Sequence, residues 1–175
     1  MNILLGITGG IAAYKACEFC SLSQKKGHDV KVIMTRNAQK FVGPITFEGL
    51  TGNTVLTDSV ESGMDHIHWP KWANIFVIAP MSANTLAKIA HGLCDDLLTT
   101  SICATPQNTP ILLCPAMNTH MWVHPATTRN RRLLEETQRY QIVQPIEKRL
   151  ACGDVGIGAL AEPSAILDEC HRLCP

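Results

Sequence analysis

The sequence predicts an α/β fold in which a doubly wound parallel sheet is covered by helices on both faces. Short apolar runs alternate along the chain with segments of helical pattern. The runs are continuously apolar, as is typical of parallel strands that are buried on both faces. The chain has 175 residues, 46% hydrophobic and 17% charged, without a linker, repeat or low-complexity segment. We therefore treat residues 1–175 as a single domain with one sizeable core.

Five apolar runs are predicted to be strands because each is short and bounded by Gly, Pro or polar residues. In chain order they are residues 2–8, 29–35, 74–80, 110–116 and 141–145.

Helices are predicted from apolar positions at helical spacing and from end signals. In chain order they are residues 11–26, 82–92, 95–105, 125–140 and 163–173. Ser82 is a candidate N-cap and Gly92 a stop signal. Pro125 and Pro163 stand in first turns, where the missing N–H of proline removes no helical hydrogen bond.

Three stretches carry weaker patterns. Residues 37–51 are mixed, with Pro44 as a helix start or a turn. Residues 52–71 are predicted to be loop-rich because Gly and Pro interrupt them. A glycine-rich loop is predicted before the last helix.

The composition argues against several classes of protein. Lys and Arg together number 15, as do Asp and Glu, so no basic excess indicates nucleic acid. No apolar stretch reaches the ~18 residues of a membrane span, and the N-terminus lacks the basic region of a signal peptide. The eight cysteines lie mostly in apolar or helical patterns, so we expect reduced thiols in a cytoplasmic protein.

Polar segments follow four of the predicted strands. They are TGG at 8–10, TRN at 35–37, APMSANT at 79–85 and PAMN at 115–118. Ligands of doubly wound sheets bind beyond the carboxyl ends of the strands. All four segments should therefore converge on one edge.

The glycine pair in GITGGIA and the SANT segment can each hold a phosphate at a helix start. A tight turn and simple capping by Ser82 explain the same residues. The spacing is not G-x-G-x-x-G, and the second strand ends in Thr35 and Arg36, without the acidic residue that binds a dinucleotide ribose. A mononucleotide with one phosphate therefore fits better than NAD.

Three further motifs carry a resemblance to a known family. They are DHIHWPKWAN at 65–74, PAMNTHMW at 115–122 and ACGDVGIGALAEP at 151–163. Together with GGIAAYK and APMSANT, they resemble the homo-oligomeric flavin-containing cysteine decarboxylases over about residues 2–170. The resemblance implies a Rossmann-like or flavodoxin-like three-layer sandwich. It also implies FMN-dependent decarboxylation of 4'-phosphopantothenoylcysteine in coenzyme A biosynthesis.

The resemblance further implies the binding residues and the assembly. The FMN contacts would be Gly9, Gly10, Thr35, Ser82, Ala83, Asn84 and Ala116, and the substrate contacts would be Met117, Asn118, Ala151 and Gly153. The family builds its site between the subunits of a homotrimer, and bacterial members join trimers into a dodecamer. Asn118 would then serve a neighbour's flavin. No metal, nucleic acid or membrane partner is expected.

Three catalytic residues are expected on the same resemblance. The substrate thiol is oxidised with FMN as electron acceptor, CO2 is lost, and the product is reduced again. His66 would act as the base near the thiol, which suits an imidazole near neutral pH. Asn118 would orient the carboxylate through a neutral amide donor. Cys152, in a glycine-rich loop that can close over a ligand, would donate the final proton.

Alternative interpretations stay open at this point. His66 could be structural, and Cys152 could be a buried inert thiol. Met121 and Trp122 either wall the site or fill space. RNRR at 129–132 is a solvated helix face or a contact for the substrate phosphate. As whole functions, the rivals are decarboxylation of a peptide's C-terminal cysteine, a flavin-bound regulatory subunit and a flavin prenyltransferase.

Overall fold

The computed structural model describes residues 1–58, 63–149, 151 and 153–175. The strands are β1 (Asn2–Ile7), β2 (Asp29–Met34), β3 (Val55–Leu56), β4 (Ile75–Met81), β5 (Ile111–Pro115), β6 (Tyr140–Ile142), β7 (Ile146–Arg149) and β8 (Val155–Ala159). The α-helices are α1 (Lys15–Lys25), α2 (Pro44–Thr51), α3 (Asp65–Trp72), α4 (Ala83–Ala90), α5 (Leu97–Cys103), α6 (Thr119–Val123), α7 (Pro125–Glu136) and α8 (Pro163–Leu173). Short 3-10 turns lie at Ile11–Tyr14 and Ala38–Lys40.

The main sheet has six parallel strands in the order β3-β2-β1-β4-β5-β6. The chain starts in the middle with β1, winds outward through β2 and β3, then returns to place β4 on the other side of β1. This confirms the predicted doubly wound sheet, and its order is that of a dinucleotide-binding Rossmann fold. The switch point lies between β1 and β4.

Two hydrophobic cores cover the faces of the sheet. Alternate side chains of β1 point to opposite sides, so that Ile3, Leu5 and Ile7 join one core and Leu4 joins the other. Helices α1, α2 and α8 pack on the first face, and α3, α4, α5 and α7 pack on the second. A Cβ at Gly6 would meet the Leu98 side chain at 2.5 Å, so a glycine there lets α5 approach β1.

The predicted end signals are confirmed. The Ser82 side chain accepts a hydrogen bond from the Thr85 N–H (3.3 Å) at the start of α4. Gly92 follows α4 in the left-handed conformation (φ 64°) that favours glycine. Pro44, Pro125 and Pro163 each begin a helix. No helix in the described part of the chain is both long and apolar enough to cross a membrane.

The prediction that residues 52–71 are loop-rich is wrong for two parts of the segment. Strand β3 and helix α3 lie there, and α3 contains Pro70. Neither has a strong sequence pattern of its own, because β3 is two residues long and α3 depends on packing. The rings of Trp69 and Trp72 flank the Lys31 ammonium, with centroids 5.0 Å and 4.5 Å from Nζ. Tertiary contacts thus compensate for a weak local pattern.

The predicted glycine-rich loop also contains regular structure. Strands β7 and β8 form an antiparallel hairpin outside the main sheet, with Lys148 opposite Gly156. The helix predicted for residues 125–140 ends at Glu136, and the strand predicted for 141–145 begins earlier, at Tyr140.

Candidate active site

The strand ends converge on one edge of the sheet, as predicted. The Ala116 N–H, just after β5, donates to the carbonyl of Met81 at the end of β4 (3.0 Å). The Thr35 N–H, just after β2, donates to the Ile7 carbonyl (3.1 Å). The segment 8–10 leaves β1 between them, at the switch point where a ligand site is expected.

A cleft with a volume of about 670 Å³ opens at this edge and is mainly apolar. Residues from the segments 8–15, 80–83, 116–121 and 148–160 line it. Its volume lies within the range of small-molecule and cofactor sites. We call it the apolar cleft.

A second cavity of about 560 Å³ adjoins the apolar cleft and is more polar. It shares Gly9, Ser82 and Ala83 with the cleft, and it adds Thr35 and Asn84. We call it the polar pocket. The two cavities together contain all seven predicted FMN-contact residues.

A buried threonine joins β1 to β4 behind the cleft. The Thr8 hydroxyl donates to the Pro80 carbonyl (2.8 Å) and accepts from the Ser82 N–H (2.8 Å). The Thr8 N–H also donates to the Pro80 carbonyl (3.2 Å), and the Ala79–Pro80 peptide bond is cis. Thr8 therefore fixes the position at which helix α4 begins.

The two glycines after β1 serve different purposes. A Cβ at Gly9 would lie 2.7 Å from the Cβ of Asn37, so glycine lets the loop after β2 approach closely. A Cβ at Gly10 would meet nothing within 4 Å, although Gly10 lines the apolar cleft. At Gly10 the backbone therefore presents an open surface to any ligand in the cleft.

The cation of helix α4 in the polar pocket is paired with carboxylates. The Lys88 ammonium contacts Asp95 (2.7 Å) and Asp96 (2.9 Å). The hydrogen bond to Asp95 is the main reason that the pKa of Lys88 is raised. Burial tends to raise the pKa of Asp96, but hydrogen bonds from Thr99 and Lys88 outweigh it and lower the pKa.

The PAMN loop brings its asparagine to the cleft. Asn118 caps α6 by accepting from the His120 N–H (2.8 Å), and its side-chain amide donates to the Asp154 carboxylate (3.3 Å). Met117 and Asn118 both line the apolar cleft. The amide is thus held by contacts on both sides, with Asp154 on the glycine-rich hairpin as one partner.

The hairpin of β7 and β8 packs on this loop because β8 carries glycines on one face. A Cβ at Gly156 would lie 2.6 Å from the Thr119 hydroxyl, and a Cβ at Gly158 would overlap the Met117 carbonyl. The Met117 N–H donates to the Gly158 carbonyl (2.9 Å). The spacing of the glycines in DVGIG therefore reflects close docking.

The remaining predicted residues differ in their placement. Ala151 lines the apolar cleft, whereas Gly153 lines neither cavity. His66, in the first turn of α3, is partly buried and does not line either cavity of the single chain. Cys152 lies outside the described residues.

Trp122 fills space and does not wall the cleft. It is 6% exposed, and the Arg131 guanidinium lies 4.7 Å from its ring centroid. Met121, by contrast, is 47% exposed and lines both cavities. Of the two interpretations of this motif, space-filling therefore applies to Trp122, and a wall of the site applies to Met121.

Sequence reasoning missed Thr8, Pro80, Lys15, Lys148 and Arg149, which also line the apolar cleft. The first two stand in strand ends that the pattern did identify. Lys148 and Arg149 belong to a hairpin that the sequence pattern did not predict, so no local signal indicated them.

These features define a class of protein: a doubly wound α/β protein with a cofactor-sized cleft and a polar pocket at its switch point. The chain belongs to the Flavoprotein family, which matches residues 1–174.

Two relatives of this chain differ greatly in their own length. The chain is 41% identical over 172 residues to a probable phosphopantothenoylcysteine decarboxylase of Streptococcus mutans, covering 96% of both chains. It is 44% identical over 170 residues to the coenzyme A biosynthesis bifunctional protein CoaBC of Bacillus subtilis, covering 95% of this chain and 41% of that one. The chain thus spans about two fifths of the length of that bifunctional relative.

Solved structures share the fold closely. One is a cysteine-to-serine variant of PPC decarboxylase complexed with pantothenoylaminoethenethiol (TM-score 0.90, 38% identity, covering 98% of this chain and 96% of that one). Another is the FMN binding protein AtHal3 (TM-score 0.86, 38% identity, covering 99% and 96%).

Proposed function

We propose that this chain is an FMN-dependent decarboxylase that converts 4'-phosphopantothenoylcysteine to 4'-phosphopantetheine in coenzyme A biosynthesis. The observation that carries the proposal is the apolar cleft. The glycine turn after β1, the PAMN loop and the glycine-rich hairpin all line it. The protein is also 38% identical to a PPC decarboxylase of the same fold.

The cleft and pocket suit FMN. Gly10 leaves its surface open to a planar ring, and the N-terminus of α4 at Ser82 favours an anion. The flavin ring would be contacted by Gly9, Gly10 and Ala116. The rest of the FMN molecule would be held by Thr35, Ser82, Ala83 and Asn84. When bound, FMN supplies the two-electron acceptor that lets a sulfur-bearing carbon lose CO2 from its neighbour.

Asn118 is proposed to orient the substrate carboxylate. Its neutral amide can donate a hydrogen bond without the strong ground-state attraction of a fixed cation. In the structure that donor faces Asp154 at 3.3 Å, so the carboxylate of the substrate would replace or share this contact. Met117 and Ala151, which line the cleft, are proposed to position the rest of the cysteine moiety, whereas Gly153 lies outside the lining.

A homotrimer, or a dodecamer of trimers, is proposed to complete the site. His66 does not line the cleft of its own chain, so a neighbour's His66 would supply the base near the thiol. Large apolar side chains stand exposed at the cleft, among them Ile11 (63%) and Tyr14 (60%). Burial of such residues between subunits is favourable. Light scattering on the purified protein measures the assembly.

The activity assay uses the FMN-loaded protein with the phosphorylated substrate, and it measures CO2 release and product mass. We expect phosphopantetheine as the product. Cys152, the proposed proton donor, is tested by Cys152→Ser, which should release CO2 but give a product lighter by two hydrogens. If the wild type itself gave that unsaturated product, the peptide-cysteine type of reaction would be favoured. A cytoplasmic location remains part of the proposal.

A further inference from the structure

All charged residues that line the apolar cleft in the described part of the chain are basic. They are Lys15 from α1, and Lys148 and Arg149 from β7. They come from distant parts of the sequence, and the rest of the lining is apolar or neutral. A cleft of this kind suits a ligand that is largely uncharged along its length and anionic at one end.

Glu162 organises two of these cations. Its carboxylate contacts the Lys15 ammonium at 3.3 Å and the Lys148 ammonium at 3.1 Å. The hydrogen bond from Lys148, followed by that from Lys15, lowers the pKa of Glu162. Lys15 is largely covered (side chain 12% exposed), whereas Lys148 remains accessible (52%). Glu162 thereby ties the hairpin to helix α1.

The charges at the cleft do not cancel. Three lining cations and two carboxylates that contact lining residues, Glu162 and Asp154, leave a formal charge of +1. A phosphate monoester carries about −1.5 to −2 near neutral pH. Arg149 is exposed and has no ion pair within the described residues, so its guanidinium is available to a ligand. Guanidinium and ammonium groups are the usual partners of phosphate oxygens in proteins.

We propose that Lys148 and Arg149 form the subsite for the phosphate monoester of the substrate, with Lys15 and Glu162 as positioning residues for Lys148. The inference rests on the proposed function, and it names the feature that selects a phosphorylated substrate. A peptide substrate with a C-terminal cysteine has one carboxylate there, which Asn118 would orient. Such a substrate has no second anionic group that would bind Lys148 and Arg149.

The RNRR segment and Lys88 fit this role less well. The RNRR segment lines neither cavity. Arg131 within it stacks on Trp122 and contacts Glu135 at 3.5 Å. Lys88 is paired with two carboxylates in the polar pocket, which is proposed to hold part of FMN.

The test compares 4'-phosphopantothenoylcysteine with its unphosphorylated form, using the FMN-loaded enzyme and CO2 release. The wild type should prefer the phosphorylated form in kcat/KM. Arg149→Gln should reduce this preference about tenfold or more, mainly through KM, because the phosphate lies far from the reacting carbon. Lys148→Gln should act in the same direction, and Arg149→Lys should retain part of the preference.

Two exposed cations outside the cleft provide matched controls. Arg132→Gln and Lys26→Gln remove the same charges and should leave the preference unchanged. Calorimetry with phosphopantetheine and pantetheine adds a readout that does not depend on turnover. The phosphate should strengthen binding to the wild type, and Arg149→Gln should abolish most of that gain.

The outcomes separate the two hypotheses. If neither substrate releases CO2, the proposed function fails, and calorimetry still decides whether a phosphate subsite exists. If both substrates react with equal kcat/KM in the wild type, the subsite is wrong although the enzyme class stands. Equal losses on both substrates in Arg149→Gln would likewise refute it, since they indicate a structural role.

Discussion

Replacing Thr8 by valine tests how the site is held together. The Thr8 side chain is 1% exposed and valine has nearly the same shape, so the change removes a hydroxyl without opening a large cavity. Two contacts disappear: the bond to the Pro80 carbonyl and the bond from the Ser82 N–H. The carbonyl keeps the Thr8 N–H as a partner, but the Ser82 N–H loses its acceptor.

The magnitude follows from this count of bonds. Each hydrogen bond contributes about 0.5–1.5 kcal/mol net, and a donor that is left unpaired costs about 1–3 kcal/mol where water cannot reach it. Because Ser82 lies at the rim of the cleft and is half-buried, the lower part of these ranges applies. We expect a loss of about 2–3 kcal/mol, or roughly 4–12 °C in Tm for a chain of this size.

Urea unfolding, with and without FMN, measures the free energy of unfolding, and flavin fluorescence measures FMN affinity. We expect weaker FMN binding by about tenfold, because the start of α4 is no longer fixed against β1. Thr8→Ser keeps the hydroxyl and should retain most of the affinity. Thr105→Val removes a buried hydroxyl whose hydrogen bond to the Ser101 carbonyl (2.8 Å) lies outside the cleft lining, so FMN affinity should not change.

Two results would contradict the reasoning. One such result is a Thr8→Val variant with the same free energy of unfolding and the same FMN affinity as the wild type. The hydrogen bonds of the Thr8 hydroxyl would then contribute nothing to stability or to binding. If Thr8→Ser lost as much FMN affinity as Thr8→Val, the hydroxyl would not suffice to fix the start of α4, because serine keeps the hydroxyl and lacks only the methyl group.

Three further predictions concern the PAMN loop, the hairpin and the N-terminal region. Asn118→Asp should lower kcat/KM by about a hundredfold or more in the CO2 assay, because the new charge repels both the substrate carboxylate and Asp154; wild-type turnover would remove the amide from the mechanism. Gly158→Ala should cost about 1–3 kcal/mol in urea unfolding, since its Cβ overlaps the Met117 carbonyl; an unchanged midpoint would show that the hairpin docks loosely. Burial, and then the N-terminal amine, lower the pKa of His28, so its stabilising contribution is present above about pH 6.5 and is lost as the pH falls below that value. The free energy of unfolding should therefore fall from about pH 7 to pH 5, and His28→Gln should flatten that slope; an equal slope in both proteins would exclude this cause.

Much of the fold could be predicted from local patterns. The continuous apolar runs became β1, β2, β4 and β5, because a strand that is buried on both faces needs apolar residues at every position. Ser82 and Gly92 marked the limits of α4, since capping depends on the chemistry of single residues. Helix α3 and the β7–β8 hairpin were missed, because their stability comes from partners that are distant in the chain.

The candidate site divides in a similar way. Motif resemblance identified residues such as Gly10, Ala116 and Asn118, which the structure brings to one cleft. Their roles remain predictions, as do those of His66 and Cys152. Thr8 was passed over because its importance depends on two bonds to residues more than seventy positions away.

The sequence by itself determined the parallel sheet and the edge at which a ligand site is expected, because hydrophobic periodicity and capping residues are local properties. The kind of chemistry to expect came from the resemblance of its short motifs to a known family. Only the tertiary structure decided that Lys15, Lys148 and Arg149 share one cleft and that Glu162 joins two of them. Electrostatic interactions depend on distances in space, and residues more than a hundred positions apart have no distance until the chain has folded.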